Sequence, residues 1–174
     1  MNFGAEGPFE LRRYGLKSLI NNDTISFLRA ALEKFDLGLS EACGCYVFAV
    51  RAGRGFTPYY VGRAEKRSIL NESLNPSNII KYNNVISNIK GTPTMFVLPM
   101  LTPQGRYRKL ATGELGSLRF LEKWLIAQCI EKNPDLVNNK ETKFLRSIHV
   151  TGIFNATQGE AHAGSTALRK AIWR

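Results

Sequence analysis

Histidine is scarce in this 174-residue chain, with 2, and cysteine is little commoner, with 3. A centre built on imidazoles and thiolates needs several such ligands at set spacings. Cys43-Gly-Cys45 is too short for a zinc knuckle, and no paired His/Cys set follows it. The cysteines therefore read as reduced, partly buried thiols of a cytoplasmic protein, and neither His149 nor His162 has a ligand-spaced partner. Long hydrophobic runs are also missing. No stretch is long enough to span a membrane, and the opening "MNFGAEGPFELRRYG" has no apolar core and carries early acids, unlike a secretion signal. Acid is in short supply too: 24 Lys+Arg stand against 14 Asp+Glu, a formal net charge of +10. Such an excess favours polyanions, because phosphate contacts release condensed counterions. It points to a nucleic-acid partner; the reduced thiols and the signal-free opening set the expectation of a cytoplasmic location, associated with the nucleoid in a bacterium.

Nothing repeats, no linker divides the chain, and the length suits one domain. The opening reads as irregular through Gly15. A capped helix follows from Asp23, with Ile25, Phe27, Leu28, Ala31, Leu32 and Phe35 on its apolar face, and Gly38 ends it. Cys45–Arg51 and Tyr59–Gly62 read as strands joined by a Gly/Pro turn. "EKRSILNESL" gives a short helix, "PSNIIKYNNVISNI" a second, and "TMFVLPML" a third strand before the basic surface stretch "TPQGRYRK". Gly113–Lys132 forms the longest helix, a short one lies around Glu141–Arg146, "HVTGIFN" reads as a strand, and a basic helix runs from about Ser165. The order indicates an α+β fold: a small three-stranded, mainly antiparallel sheet flanked by helices, with helical N- and C-terminal additions.

Within the long helix, Leu115, Leu118, Leu121, Leu125, Ile126, Cys129 and Ile130 mark the apolar stripe, and Glu122 lies between Leu118 and Ile126 at i, i+4, i+8. A carboxylate so placed requires either a structural Arg or Lys or a divalent cation reached through a cleft, and the helix alone favours neither. Glu114 suits the positive end of the helix dipole. Tyr46, Tyr59 and Tyr60 are ordinary strand residues taken singly. Strand alternation puts Tyr46 on a face with Phe48 and turns Tyr60 away from Tyr59, while Gly44 and Gly62 mark strand ends where a backbone turns or a ligand comes close.

Taken in order, Gly44-Cys45-Tyr46, Tyr60-Val61-Gly62, a basic residue opening a helix, Glu122 in a long helix, then Pro134 and Asn138 resemble the GIY-YIG nuclease family. "FLEKWLIAQCIEKNPDLVNNKE" is similar to that family's second half, and the likeness covers about residues 44–139, leaving 1–42 and 140–174 outside it. Cys45 and Val61 replace isoleucines of the family motifs, and the connection between the two strands is longer than usual. The resemblance implies an endonuclease hydrolysing DNA phosphodiesters. Its catalytic residues would be Tyr46, Tyr60, Arg67, Glu122 and Asn138, with Arg63 as the reserve arginine and Asn139 competing with Asn138. Glu122 would hold one Mg²⁺ or Mn²⁺ ion, and Tyr46 would be the base, helped by the metal or by cations because a free phenol has a pKa of roughly 10. RNA is an alternative substrate, and a homodimer is left open.

Basic residues outside the hairpin suggest a substrate track. Arg63, Lys66, Lys81, Arg106, Arg108 and Lys109 are the candidate phosphate contacts, joined by Lys90, Lys143, Arg146, Arg169, Lys170 and Arg174, and Tyr107 among them suits stacking on a base. A non-catalytic nucleic-acid-binding module that keeps the fold is the competing expectation.

Overall fold

The computed structural model describes residues 1–138, 142–154 and 160–173. Asn139 and Arg174, and the Glu141 end of the expected short helix, lie outside them. The fold is α+β, with a wholly antiparallel sheet.

Strand β3 (Gly44–Ala52) is the axis. It pairs with β4 (Gly55–Ala64) on one side and β5 (Thr92–Leu101) on the other. Its first seven residues, Gly44 to Val50, are all buried, because helices cover both faces of the sheet and leave no face for polar alternation. Tyr46, Phe48 and Val50 pack towards α1 (Asn22–Phe35), α2 (Ile69–Ser73) and α3 (Pro76–Asn88), with Leu28, Leu32, Leu70 and Tyr82 in the same cluster. Cys45 and Val47 pack towards α4 (Gly116–Lys132), against Leu118, Ile126, Cys129 and Ile130. All three cysteines are free and buried.

The sheet has five strands rather than three. The N-terminal segment read as irregular supplies β1 (Asn2–Phe3) and β2 (Glu6–Glu10), which pair with successive parts of β5. Gly4, Gly7 and Pro8 break the apolar alternation, and Pro8 falls where the register between Glu6 and Phe9 is irregular, a position an edge strand tolerates. At the other end, the expected strand "HVTGIFN" is, from Val150 to Phe154, a turn closed by one bridge between those two residues, and its Asn155 lies outside the described residues. The helices α5 (Thr142–Ser147) and α6 (Ala163–Ile172) frame it. α6 is capped by His162, whose Nδ1 accepts from the Gly164 and Ser165 amides.

Asn21 caps α1 in a reciprocal capping box with Thr24, and Asn75 caps α3 with Pro76 at its first position. Helix α2 starts at Ile69 under a Ser68 cap, later than the sequence suggested. Glu65, Lys66 and Arg67 consequently form a connector, and Arg67 does not open a helix. Among the described residues no helix is long and apolar enough to cross a membrane.

Gly44 starts β3 between two strands, and a Cβ there would collide with the Leu98 carbonyl and the Pro99 backbone of β5. Gly44→Ala is expected to lower stability by about 1–3 kcal/mol, the range for overpacking a closed site, read as a lower midpoint in thermal or urea unfolding.

Candidate functional site

An open cavity of about 800 Å³ lies at the edge of β4, lined by residues of β3, β4, α3, α4 and the Asn138 loop. It brings together Tyr46, Tyr60, Gly62, Arg63, Lys66, Arg67, Lys81, Glu122 and Asn138, which the sequence had singled out across almost a hundred positions. Arg106 is exposed on the turn after β5, whereas Arg108 and Lys109 line a separate groove of about 420 Å³. Tyr107 is no stacking platform: it is half-buried, packs against the core, and its hydroxyl bonds the Asp36 carboxylate.

The local structure explains Gly62. Tyr46 of β3 sits directly opposite Gly62 of β4, and a Cβ at Gly62 would fall within the Tyr46 ring. The ring thus lies over bare backbone. A bulge places Tyr60 opposite Phe48 and Pro58 opposite Ala49, so both Tyr59 and Tyr60 pack against the same core cluster, against the simple alternation expected of a regular strand. The Tyr46 and Tyr60 ring centres are 6.3 Å apart.

From Val61 onward, alternation aims Arg63 at α4. Its Nη1 donates to Glu122 Oε2 at 2.5 Å, and its Nε lies 3.3 Å from Glu65 Oε2. Glu65 in turn accepts the Leu115 amide at 2.9 Å, at the N-cap of α4. Burial weakens the Arg63 charge, but Glu122 and Glu65 outweigh it, so its affinity for a proton is raised. Glu122 is therefore held by a cation as well as facing the cavity, and at 19% side-chain exposure it remains accessible. The arginine that reaches it is Arg63. Arg67 is exposed at the cavity wall.

Tyr46 departs from the role of base. It is 1% exposed, its oxygen accepts from Asn78 Nδ2 at 3.1 Å, and its hydroxyl faces the Glu72 carbonyl at 3.5 Å. Burial, with Tyr60 and Glu72 adding to it, holds this phenol well above its ordinary value. Among the described residues its hydrogen bonds go to the Asn78 amide and the Glu72 carbonyl, and neither is the cation a phenolate would need. Tyr60 is less enclosed. Burial, Glu122 and Glu72 raise it, while a hydrogen bond with Tyr46 opposes them. The Lys81 ammonium sits 4.6 Å from the Tyr60 ring centre and donates to Asn78 Oδ1 at 3.1 Å, and burial lowers its proton affinity.

Asn138 serves the backbone. Its Oδ1 accepts the Val61 amide at 2.9 Å and its Nδ2 donates to the Val61 carbonyl at 2.7 Å, so one side chain stands in for a neighbouring strand at the β4 edge. The Asn133 amide and the Val137 backbone bind the Pro58 and Tyr59 carbonyls alongside it.

Sequence reading missed Asn78 and Tyr82. With Lys81 they occupy i, i+3 and i+4 of α3, and this face supports both tyrosines. Tyr82 stacks on Phe48 at 4.1 Å and meets Tyr60 edge-on at 5.9 Å. Its fully buried hydroxyl has no hydrogen-bond partner among the described residues. The helical spacing is visible in the sequence, but no motif marks it.

Carboxylate and phenol oxygens are hard donors of the kind Mg²⁺ and Mn²⁺ accept. No group of three or more His, Cys, Asp or Glu converges among the described residues. The donor set fits an ion that rests on one carboxylate and keeps most of its water, as Mg²⁺ does. Comparison of the chain with protein-family models, curated proteins and solved structures found no match.

Two measurements test this geometry. Tyr46 and Tyr82 are held above the ordinary 10.0 chiefly by burial. In the unfolded chain they ionise near that value, so above it the unfolded state gains and folding stability falls with rising pH. Tyr46→Phe and Tyr82→Phe are each expected to flatten this alkaline fall, measured by urea unfolding across pH. Asn138→Ala strands the Val61 amide and carbonyl and is expected to cost about 1–3 kcal/mol of stability, read in the same assay at neutral pH.

Proposed function

We propose that the chain is a metal-dependent endonuclease of the GIY-YIG type that hydrolyses DNA phosphodiesters. The observation carrying this reading is the convergence of Tyr46, Tyr60, Arg63 and Glu122 in one open cavity. Six cationic side chains, Arg63, Lys66, Arg67, Lys81, Arg119 and Lys123, and three carboxylates, Glu65, Glu72 and Glu122, line it. That excess suits a phosphate backbone.

Glu122 would hold the divalent ion, which when bound supplies charge neutralisation at the phosphate and its leaving oxygen. Arg63 takes the arginine role in place of Arg67: while Glu122 and Glu65 orient its guanidinium, its remaining donors meet the non-bridging oxygens. Tyr60 orients the attacking water, with Lys81 as the basic group beside it. Tyr46 and Asn78 hold Tyr60 and the cavity floor in place. Asn138 keeps β4 in position.

A non-catalytic nucleic-acid-binding module is the second reading, favoured by the Arg63–Glu122 pair, which compensates Glu122 without any metal. Incubation with Mg²⁺ and plasmid, branched DNA or RNA separates the two. The nuclease reading expects cleavage that Glu122→Ala abolishes without unfolding the chain and that Arg63→Ala reduces by on the order of 10²–10³. Wild-type protein that binds metal and nucleic acid yet cuts none of the three substrates leaves the binding module.

A further inference from the structure

The central cavity accounts for one side of α4. Arg119, Glu122, Lys123 and Ile126 face it, and Leu118 and Cys129 face the core. The remaining side carries Phe120 and Trp124, four residues apart on one face and 72% and 51% exposed. Each follows directly on a cavity cation, Arg119 or Lys123. Further along the same helix, Gln128, Glu131 and Lys132 form one wall of a second cavity of about 580 Å³, whose other wall is α6 with Arg169 and Lys170, and Trp173 just beyond it. Trp173 is 44% exposed. From Phe120 to Lys132 the helix rises about 18 Å.

Two exposed rings thus lie on the outer face of α4, bordered by the central-cavity cations Arg119 and Lys123, and a third, Trp173, lies with Lys132, Arg169 and Lys170 at the second cavity further along. Charge alone would serve any polyanion, and duplex DNA offers its phosphates but keeps its bases stacked inside. Rings alternating with cations match a strand whose bases are free to stack and whose backbone is anionic. In the second cavity, three cations outnumber the single carboxylate of Glu131.

We propose that this outer face of α4, continued by α6, is a track for an unpaired nucleic-acid strand. Bases stack on Phe120, Trp124 and Trp173. Phosphates meet Lys123 and Arg119, which exchanges its surface pair with Glu114 for them, at one end and Lys132, Arg169 and Lys170 at the other. The inference rests on reading the central cavity as a nucleic-acid site and specifies its substrate: nucleic acid with a single-stranded portion, such as a flap, a fork or a gapped duplex. A second copy of the chain is the competing occupant, since α6 also exposes Leu168 and Ile172; the net charge of +10 opposes it.

The sequence contains 2 tryptophans, Trp124 and Trp173, and both are on the track. Intrinsic tryptophan emission of the full chain therefore reports its occupancy directly. The chain is titrated in EDTA with an oligothymidine strand and, separately, with a blunt duplex of equal length. The track requires quenching by the single strand, divided between Trp124→Phe and Trp173→Phe, and little quenching by the duplex. Phe120→Ala, Trp124→Ala and Trp173→Ala should each weaken single-strand binding by roughly 5- to 100-fold and duplex binding by less. Single-strand binding that leaves both tryptophans unquenched overturns the proposal. So does equal weakening for strand and duplex, or quenching that follows protein concentration alone with a dimer in sedimentation. Metal-dependent cleavage with unresponsive tryptophans refutes the track and spares the nuclease; quenching by the strand without any cleavage does the reverse.

Discussion

The ring of Tyr46 lies across the bare backbone of Gly62, and the rest of the cavity is arranged around that contact. With any side chain at Gly62 the ring would be displaced. Its hydroxyl would then leave Asn78, which also binds the Glu72 carbonyl at 2.9 Å between α2 and α3. Through Tyr46 the position of β4 is thus tied to the α2–α3 junction, and through Arg63 it is tied to α4 on the other face. A glycine inside a strand normally weakens it. Here the weakness is offset by Asn138, whose amide replaces the missing neighbouring strand at Val61, the residue just before the glycine.

The electrostatics follow from the same layout. Two carboxylates, Glu65 and Glu122, share the one guanidinium of Arg63 in a half-buried setting. Such a triad contributes little net stability, because desolvation cancels much of the attraction, but it fixes the direction of all three groups. The Glu65 link to the Leu115 amide also ties this triad to the start of α4. Two phenols and a lysine face it from the β4–α3 side. The buried Tyr46 braces β4 against α3, and Tyr60, half-buried beside Lys81, is the more exposed of the two phenols.

Several of these features are legible in the sequence. Apolar runs revealed β3 and β5, caps and periodicity revealed α1, α3 and α4, and the placement of Glu122 on an apolar stripe revealed an anion in need of compensation. The opening segment was not legible, because Gly4, Gly7 and Pro8 conceal two strands whose pairing with β5 lies some ninety residues away. Neither was the bulge that turns both Tyr59 and Tyr60 towards one core: strict alternation is a local rule, and an extra residue in one strand breaks it without a sequence mark.

Residue chemistry by itself determined the basic character of the chain, its scarcity of histidine and cysteine, and the α+β class. These depend on composition and on periodicities within one element. Only the tertiary structure decided which arginine meets Glu122, that Tyr46 braces and Asn138 clamps, and that Asn78 and Tyr82 support both phenols. Each of those outcomes depends on where β4 lies relative to α3 and α4, a relation between segments distant in the chain that no local spacing encodes.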